Sequence, residues 1–155
     1  IVARFLERKK IKNYLVEVGG EIRAKGKKAN NISWAIQLVD PIHKDGSKGF
    51  KIINLSDKSM ATSGNYRKFR VAENGQKFVH TINPKTGFAK ESNLLSASVI
   101  ADLDCADVDA YATAFMAMGY EKSKKFLEKH KNLDGILLFV DENGRLKEYK
   151  TRDFK

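Results

Sequence analysis

Cysteine is nearly absent: Cys105 is the only one in 155 residues. A disulfide within the chain is therefore excluded, although this leaves the compartment open, because many exported proteins have none. Proline occurs only at Pro41 and Pro84. No apolar run approaches the ~20 residues that span a bilayer as a helix. Internal repeats, low-complexity tracts and an interdomain linker are all missing. No signal peptide is visible in residues that open at Ile1 within a helical pattern, so export is left undecided.

What is present suits one globular domain. Hydrophobic residues make up 42% and charged residues 31%, enough of both for a buried core and a solvated surface. The net charge is +10. Such a surplus is compatible with a nucleic-acid partner, an anionic ligand or simple solubility. The basic residues are scattered, from Arg8, Lys9, Lys10 and Lys12 through Lys25, Lys27 and Lys28 to Lys122, Lys124, Lys125, Lys129 and Lys131. The last group falls at helical spacing around Phe126 and Leu127, and reads as a solvated helix face.

Periodicity predicts a helix over Ile1–Lys9 and strands over Tyr14–Val18 and Glu21–Lys25, interrupted at Gly19-Gly20. Further strands are predicted over 32–39, 50–55, 66–71, 77–82 and 96–101. Asn74-Gly75 is the expected tight turn between two of them. Asp104–Met118 reads as the strongest helix, with Asp104 as cap and Gly119 as stop. A second, amphipathic helix follows over Glu121–Lys131. A hairpin over 135–150 closes the pattern. Strands dominate and helices sit near the ends, so the expected class is α+β, with a mostly antiparallel sheet and flanking helices.

Four segments place polar residues beside glycine, which lets backbone approach a ligand or adopt positive φ. Gly19-Gly20-Glu21 is either a bend within a hairpin or a place where exposed N–H groups meet a phosphate or ring. Ala61-Thr62-Ser63-Gly64-Asn65-Tyr66 reads as a small-residue turn, and Ser63 has no base beside it in sequence. His80-Thr81-Ile82-Asn83-Pro84-Lys85-Thr86-Gly87 puts a histidine at a strand end before a rigid turn, a position open to a surface role or a site role. His43 and His130 have no such context. In Asp107–Thr113, Asp109 and Thr113 are i and i+4 on one helix face. A carboxylate and a hydroxyl one turn apart suit a hard cation such as Mg²⁺, while an acidic residue near a helix start also stabilises the dipole.

Taken together, YLVEVGGEIRAKG, ATSGNY, HTINPKTG and SVIADLDCADVDAYATAFMAMG resemble the ApbE-like FAD:protein FMN transferase family. The likeness covers nearly the whole chain. The turn carrying His80, Asn83, Pro84, Thr86 and Gly87, followed by an Asp-Ala-x-Ala-Thr-Ala helix, is its specific part. It implies Mg²⁺-dependent transfer of FMN from FAD to a threonine or serine hydroxyl of an acceptor flavoprotein, releasing AMP. It also implies an extracytoplasmic, often periplasmic, location through an N-terminal lipid anchor. By resemblance, Asp109 and Thr113 are metal ligands and His80 is the proton acceptor. Ile82, with Asn83, Thr86 and Gly87 of the same turn, contacts FAD, and Gly19, Gly20 and Glu21 lie near the flavin.

There are two departures. Asn83 stands where many members have Asp. The family's N-terminal half, with a motif near DLSAIAKGYAVD that supplies a metal-binding carbonyl and an FAD-binding acid, would precede Ile1. On this reading the residues are a C-terminal portion and an incomplete transferase by themselves. The competing expectations are an inactive FAD-binding fragment and a basic nucleic-acid module. The second needs clustered Lys/Arg with exposed aromatics on one face, and the scattered lysines argue against it.

Overall fold

The computed structural model describes residues 1–41, 49–65, 69–71, 77–79, 81–89 and 92–151, with backbone alone for 69–71 and 77–79. His43, the Asn74-Gly75 turn, Tyr66, His80 and residues 152–155 lie outside the described residues.

Six strands form one antiparallel sheet: β1 (Tyr14–Val18), β2 (Glu21–Lys25), β5 (Ser59–Gly64), β8 (Leu94–Ala101), β9 (Asp134–Val140) and β10 (Leu146–Lys150), in that spatial order. β3 (Trp34–Val39) and β4 (Gly49–Leu55) pair as a separate hairpin, and β6 (Phe69–Val71) pairs with β7 (Lys77–Val79). Among the described residues three α-helices, α1 (Val2–Arg8), α2 (Cys105–Met118) and α3 (Tyr120–Lys129), and a short 3-10 turn at Ala29–Asn31 accompany the strands. The architecture is α+β, as the sequence predicts. Among the described residues no helix is long and apolar enough to cross a membrane.

The sheet is apolar on both faces because its central strands alternate with period two. Ala97, Val99 and Ala101 of β8 and Leu137 of β9 join Val108, Ala112, Phe115 and Met116 of α2 and Leu127 of α3 in one core. Ile100, Ile136 and Leu138, from the same strands, join Leu38, Ile53 and Leu55 of the β3–β4 hairpin in a second core. The central strands are thus buried from two sides, which explains why Gly135–Val140 shows a continuous apolar run instead of an alternation. The lysine-rich face of α3 is solvated, apart from Lys124, which lies 5.6 Å from the Tyr149 ring centroid.

Local details depart from the sequence expectation in three places. Residues 61–64, expected as a turn, lie inside β5, paired residue by residue with β8 from Ser59↔Ala101 to Gly64↔Ser96. Asp104 stands at the first position before α2, but its carboxylate bonds Arg4 and no backbone N–H of the helix. The apolar residues of α1 are not core: Ile1, Val2 and Phe5 are exposed. The helix is held by polar contacts, with Glu7 accepting hydrogen bonds from Tyr14 and Lys25, each 2.9 Å.

The junction of α2 and α3 is tightly specified. Gly119 has φ +80°, in the left-handed region, and its N–H bonds the Phe115 carbonyl at 2.9 Å. The buried Ser123 hydroxyl lies 3.0 Å from the Phe115 carbonyl and 2.8 Å from that of Gly119. Carbonyls that a helix end leaves without partners are thereby satisfied. The reversal lays α3 beside α2, so that Phe115 and Leu127 share one core.

Candidate functional site

β2 reaches β5 at only two positions, Ile22↔Met60 and Arg23↔Ser59. Beyond them β1 and β2 turn away through Gly19-Gly20, a two-residue connection between the paired Val18 and Glu21. Gly19 has φ +69° and Gly20 φ +105°, so this turn needs two consecutive left-handed residues. The outer half of β5 is therefore paired to β8 alone among the described strands, and its other edge opens onto a cavity of about 930 Å³.

The cavity is built from several elements at once. Gly19, Gly20 and Glu21 form one wall, and residues 35–39 of β3 form another. Thr62, Ser63 and Gly64 line it from β5, Thr81 and Ile82 from the segment after β7, and Asp109 and Thr113 from α2. Six residues singled out from the sequence, Gly19, Gly20, Glu21, Ile82, Asp109 and Thr113, thus converge on one space. Its volume lies in the range of small-molecule sites.

Asn83, Thr86 and Gly87 do not line the cavity. Several of their polar groups build the turn instead. Asn83 O accepts from Thr86 N at 3.2 Å and Gly87 N at 2.8 Å, and Asn83 Oδ1 accepts from Lys85 N at 2.9 Å. That last bond is one an aspartate would also make, so the departure at this position keeps the turn intact. Ile82 bridges Ala89 across the turn's base and is itself exposed. His80 lies outside the described residues, one position before Thr81 of the cavity wall.

The electrostatics are one-sided. The charged residues among those that line the cavity are Glu17, Glu21 and Asp109, all acidic, with no described lysine or arginine beside them. This contrasts with the chain's net charge of +10. Asp109 is half-buried and has no ion pair or side-chain hydrogen bond with another described residue. Thr113, one turn on, has its Oγ1 3.0 Å from Ser63 Oγ. These are hard oxygen donors. Among the described residues no cluster of three His, Cys, Asp or Glu side chains is placed to hold a metal. A carboxylate and a hydroxyl fit Mg²⁺, which is commonly held by one or two carboxylates with phosphate and water completing its shell.

Sequence reasoning left out part of this site. The β3 wall gives no sequence signal, because residues 35–39 read only as a strand. Glu17 looks like an ordinary outward strand position. Asn65 was visible only as a neighbour of Gly64. It is 7% exposed, and its Oδ1 accepts from the Thr81 hydroxyl at 3.2 Å while its backbone N–H bonds Leu95 O at 3.0 Å. This ties the segment that follows His80 to the end of β5.

The cleft is thus acidic and hydroxyl-lined, with Thr62, Ser63 and Thr113 among its lining residues. Residues 1–137 match the ApbE family, and the chain belongs to it. It is 37% identical over 143 residues to the FAD:protein FMN transferase of Haemophilus influenzae, covering 92% of this chain and 40% of that protein. It is 35% identical over 155 residues to the enzyme of the same name from Vibrio cholerae, covering 100% and 45%. The flavin transferase ApbE from Vibrio cholerae superposes with a TM-score of 0.80 at 32% identity, over 99% of this chain and 47% of that one. The apo flavinyl transferase ApbE of Pseudomonas stutzeri gives 0.80 at 27% identity, over 97% and 45%. The chain therefore spans less than half the length of these relatives.

Proposed function

We propose that this chain contributes the cation-binding side of an FAD:protein FMN transferase, which moves FMN from FAD to a threonine or serine hydroxyl of an acceptor protein. The relatives' names supply the reaction. The observation that carries it to this chain is the placement of Asp109 and Thr113 in a cleft whose described charged residues are all acidic. A pyrophosphate could not settle beside Glu17, Glu21 and Asp109 unaided, because like charges in a half-enclosed space repel. Asp109 and Thr113 would hold Mg²⁺ at that point. When bound, the ion neutralises pyrophosphate charge and stabilises the departing AMP.

The chain's own residues then have distinct tasks. Gly19 and Gly20 carry no side chain and let backbone approach the ligand closely. Ile82 offers an exposed apolar surface to a flat ring. Thr81, the residue after His80 in the sequence, is fastened to Asn65. In the transfer the acceptor oxygen forms a bond to the phosphorus of the FMN half, and the bond from that phosphorus to AMP breaks. His80 takes the acceptor proton. Imidazole is the side chain whose chemistry suits proton transfer near neutral pH.

The test is FMN transfer by the full-length protein to a threonine-bearing acceptor, read by mass spectrometry. Transfer should require both FAD and Mg²⁺ and stop on chelation. A protein that binds FAD yet never modifies any acceptor would support the inactive-fragment reading. A salt-dependent interaction with single-stranded DNA, together with no response to FAD, would favour the nucleic-acid reading.

A further inference from the structure

Ser63 and Thr113 come from different elements, and their hydroxyl oxygens lie 3.0 Å apart across the cavity floor. Their meeting follows from the strand alternation. Ala61 and Ser63 share the face of β5 that α2 covers, Ala61 being fully buried beneath the helix and Ser63 the next residue along that face. Ser63 is partly exposed at the cavity, opposite the exposed Thr113.

A threonine within a helix has two competitive side-chain rotamers, because its hydroxyl can turn back to a carbonyl three or four residues earlier. For Thr113 that retreat would point the hydroxyl at the backbone of Asp109 and take it from the cavity. A partner across the cavity floor opposes this. Either hydroxyl of the pair can be the donor when no cation is present. An oxygen that gives a lone pair to a cation becomes a poor acceptor and a better donor, so Thr113 must then donate. Ser63 Oγ is the acceptor already in place.

We propose that Ser63 is a positioning residue for the cation site: it accepts the Thr113 proton and so holds Thr113 Oγ1 toward the cavity. The inference rests on the reading of Asp109 and Thr113 as cation ligands. Ser63 acts only through Thr113 and touches neither the ion nor the reacting atoms. Partners of this kind typically change metal affinity by about 10–100-fold when removed.

Mn²⁺ is a suitable probe, since it shares oxygen-rich sites with Mg²⁺ and its free form is read by electron paramagnetic resonance. Titrations would use the full-length protein with FAD present. Ser63→Ala should weaken Mn²⁺ binding about 10-fold. Ser63→Thr, which keeps the hydroxyl, should restore most of it. The Ser63→Ala, Thr113→Val double variant should bind no more weakly than Thr113→Val alone, because the serine acts through the threonine. Additive losses would overturn the proposal. So would Mn²⁺ affinity unchanged in Ser63→Ala while Asp109→Ala loses it, a result that leaves the cation site standing. If Asp109→Ala binds Mn²⁺ as the unaltered protein does, the cation reading fails and this inference with it. Should Ser63→Ala prove unstable in a metal-free melt, Ser63→Thr carries the decision, and a tenfold loss there despite the hydroxyl counts against the proposal.

Discussion

Asp109 and Thr113 stand one helical turn apart on α2 and open onto the same cavity as the Gly19-Gly20 turn. Asp109 has no described partner that would compete for its charge. Asp109→Asn keeps the shape and removes the charge, so it separates packing from cation binding. In the full-length protein this variant should lose Mg²⁺-dependent FMN transfer by more than about 100-fold, since charge stabilisation by the ion is worth several kcal/mol. Its melting temperature without metal should stay near that of the unaltered protein. A steady-state assay across Mg²⁺ concentrations, paired with a thermal melt, measures both. Full activity in Asp109→Asn would remove this residue from the site.

His80 should behave differently from Asp109. A general base lowers the barrier without holding the ligand, so His80→Ala should slow transfer by about 10²–10⁴-fold while FAD affinity changes little. The rate of the unaltered protein should fall in acid as the histidine takes up its proton, and that fall should vanish in the variant. Calorimetry with FAD and a pH–rate profile test the two halves separately. Equal loss of FAD affinity in His80→Ala and Asp109→Asn would contradict the assignment of His80 as the proton acceptor.

The site was legible in the sequence wherever it depended on spacing within one element. Asp109 and Thr113 are related by the helical repeat, and Gly19-Gly20 by the two-residue hairpin. Contacts between elements left no such trace. Ser63 and Thr113 are 50 positions apart, and nothing in either segment names the other. Residues 61–64 of β5 read as a turn in the sequence for a physical reason. These residues are small where α2 lies close against the sheet, with Ala61 and Ala112 both fully buried. A strand under a tightly packed helix loses the bulky β-branched residues by which strands are usually recognised. The apolar stripe of α1 misled in the other direction, since Ile1, Val2 and Phe5 face solvent and polar contacts of Glu7 hold the helix.

Those contacts make α1 sensitive to acid. The Lys25 ammonium, and then the Tyr14 hydroxyl, donate hydrogen bonds to the Glu7 carboxylate and hold its pKa below the ordinary value. A carboxyl whose folded pKa is lowered stabilises the fold fully above its unfolded value of about 4.3, and the stabilisation is lost as pH falls through the lowered value. The protection factors of α1 amides, exchange being corrected for its intrinsic pH dependence, should therefore fall below pH ~4. Amides of β8 and β9 should not follow, because their protection comes from the two cores. Glu7→Gln should remove most of this pH dependence and loosen α1 at neutral pH. An α1 whose exchange is independent of Glu7 at every pH would show that other contacts hold it.

The two glycines at the cavity mouth should respond differently to the same substitution. At Gly20, φ is +105° and an added Cβ would meet no heavy atom within 4 Å. The cost of Gly20→Ala is therefore backbone strain alone, about 1–2 kcal/mol. For a domain of this size that lowers the melting temperature by roughly 2–8 °C. At Gly19, φ is +69°, where an added Cβ would lie 3.0 Å from Glu21 Oε2. Gly19→Ala must move the Glu21 carboxylate as well as strain the turn. Since Glu21 lines the cavity, this second variant should change ligand affinity beyond what its loss of stability accounts for. Asparagine tolerates the left-handed region better than alanine, so Gly19→Asn should recover part of the stability while still displacing Glu21. Thermal melts of the three variants, set beside FAD titrations of the full-length protein with Mg²⁺ present, distinguish the two effects. Equal FAD affinities for Gly19→Ala and Gly20→Ala would mean that Glu21 has no part in holding the ligand, and that the turn matters only for its shape.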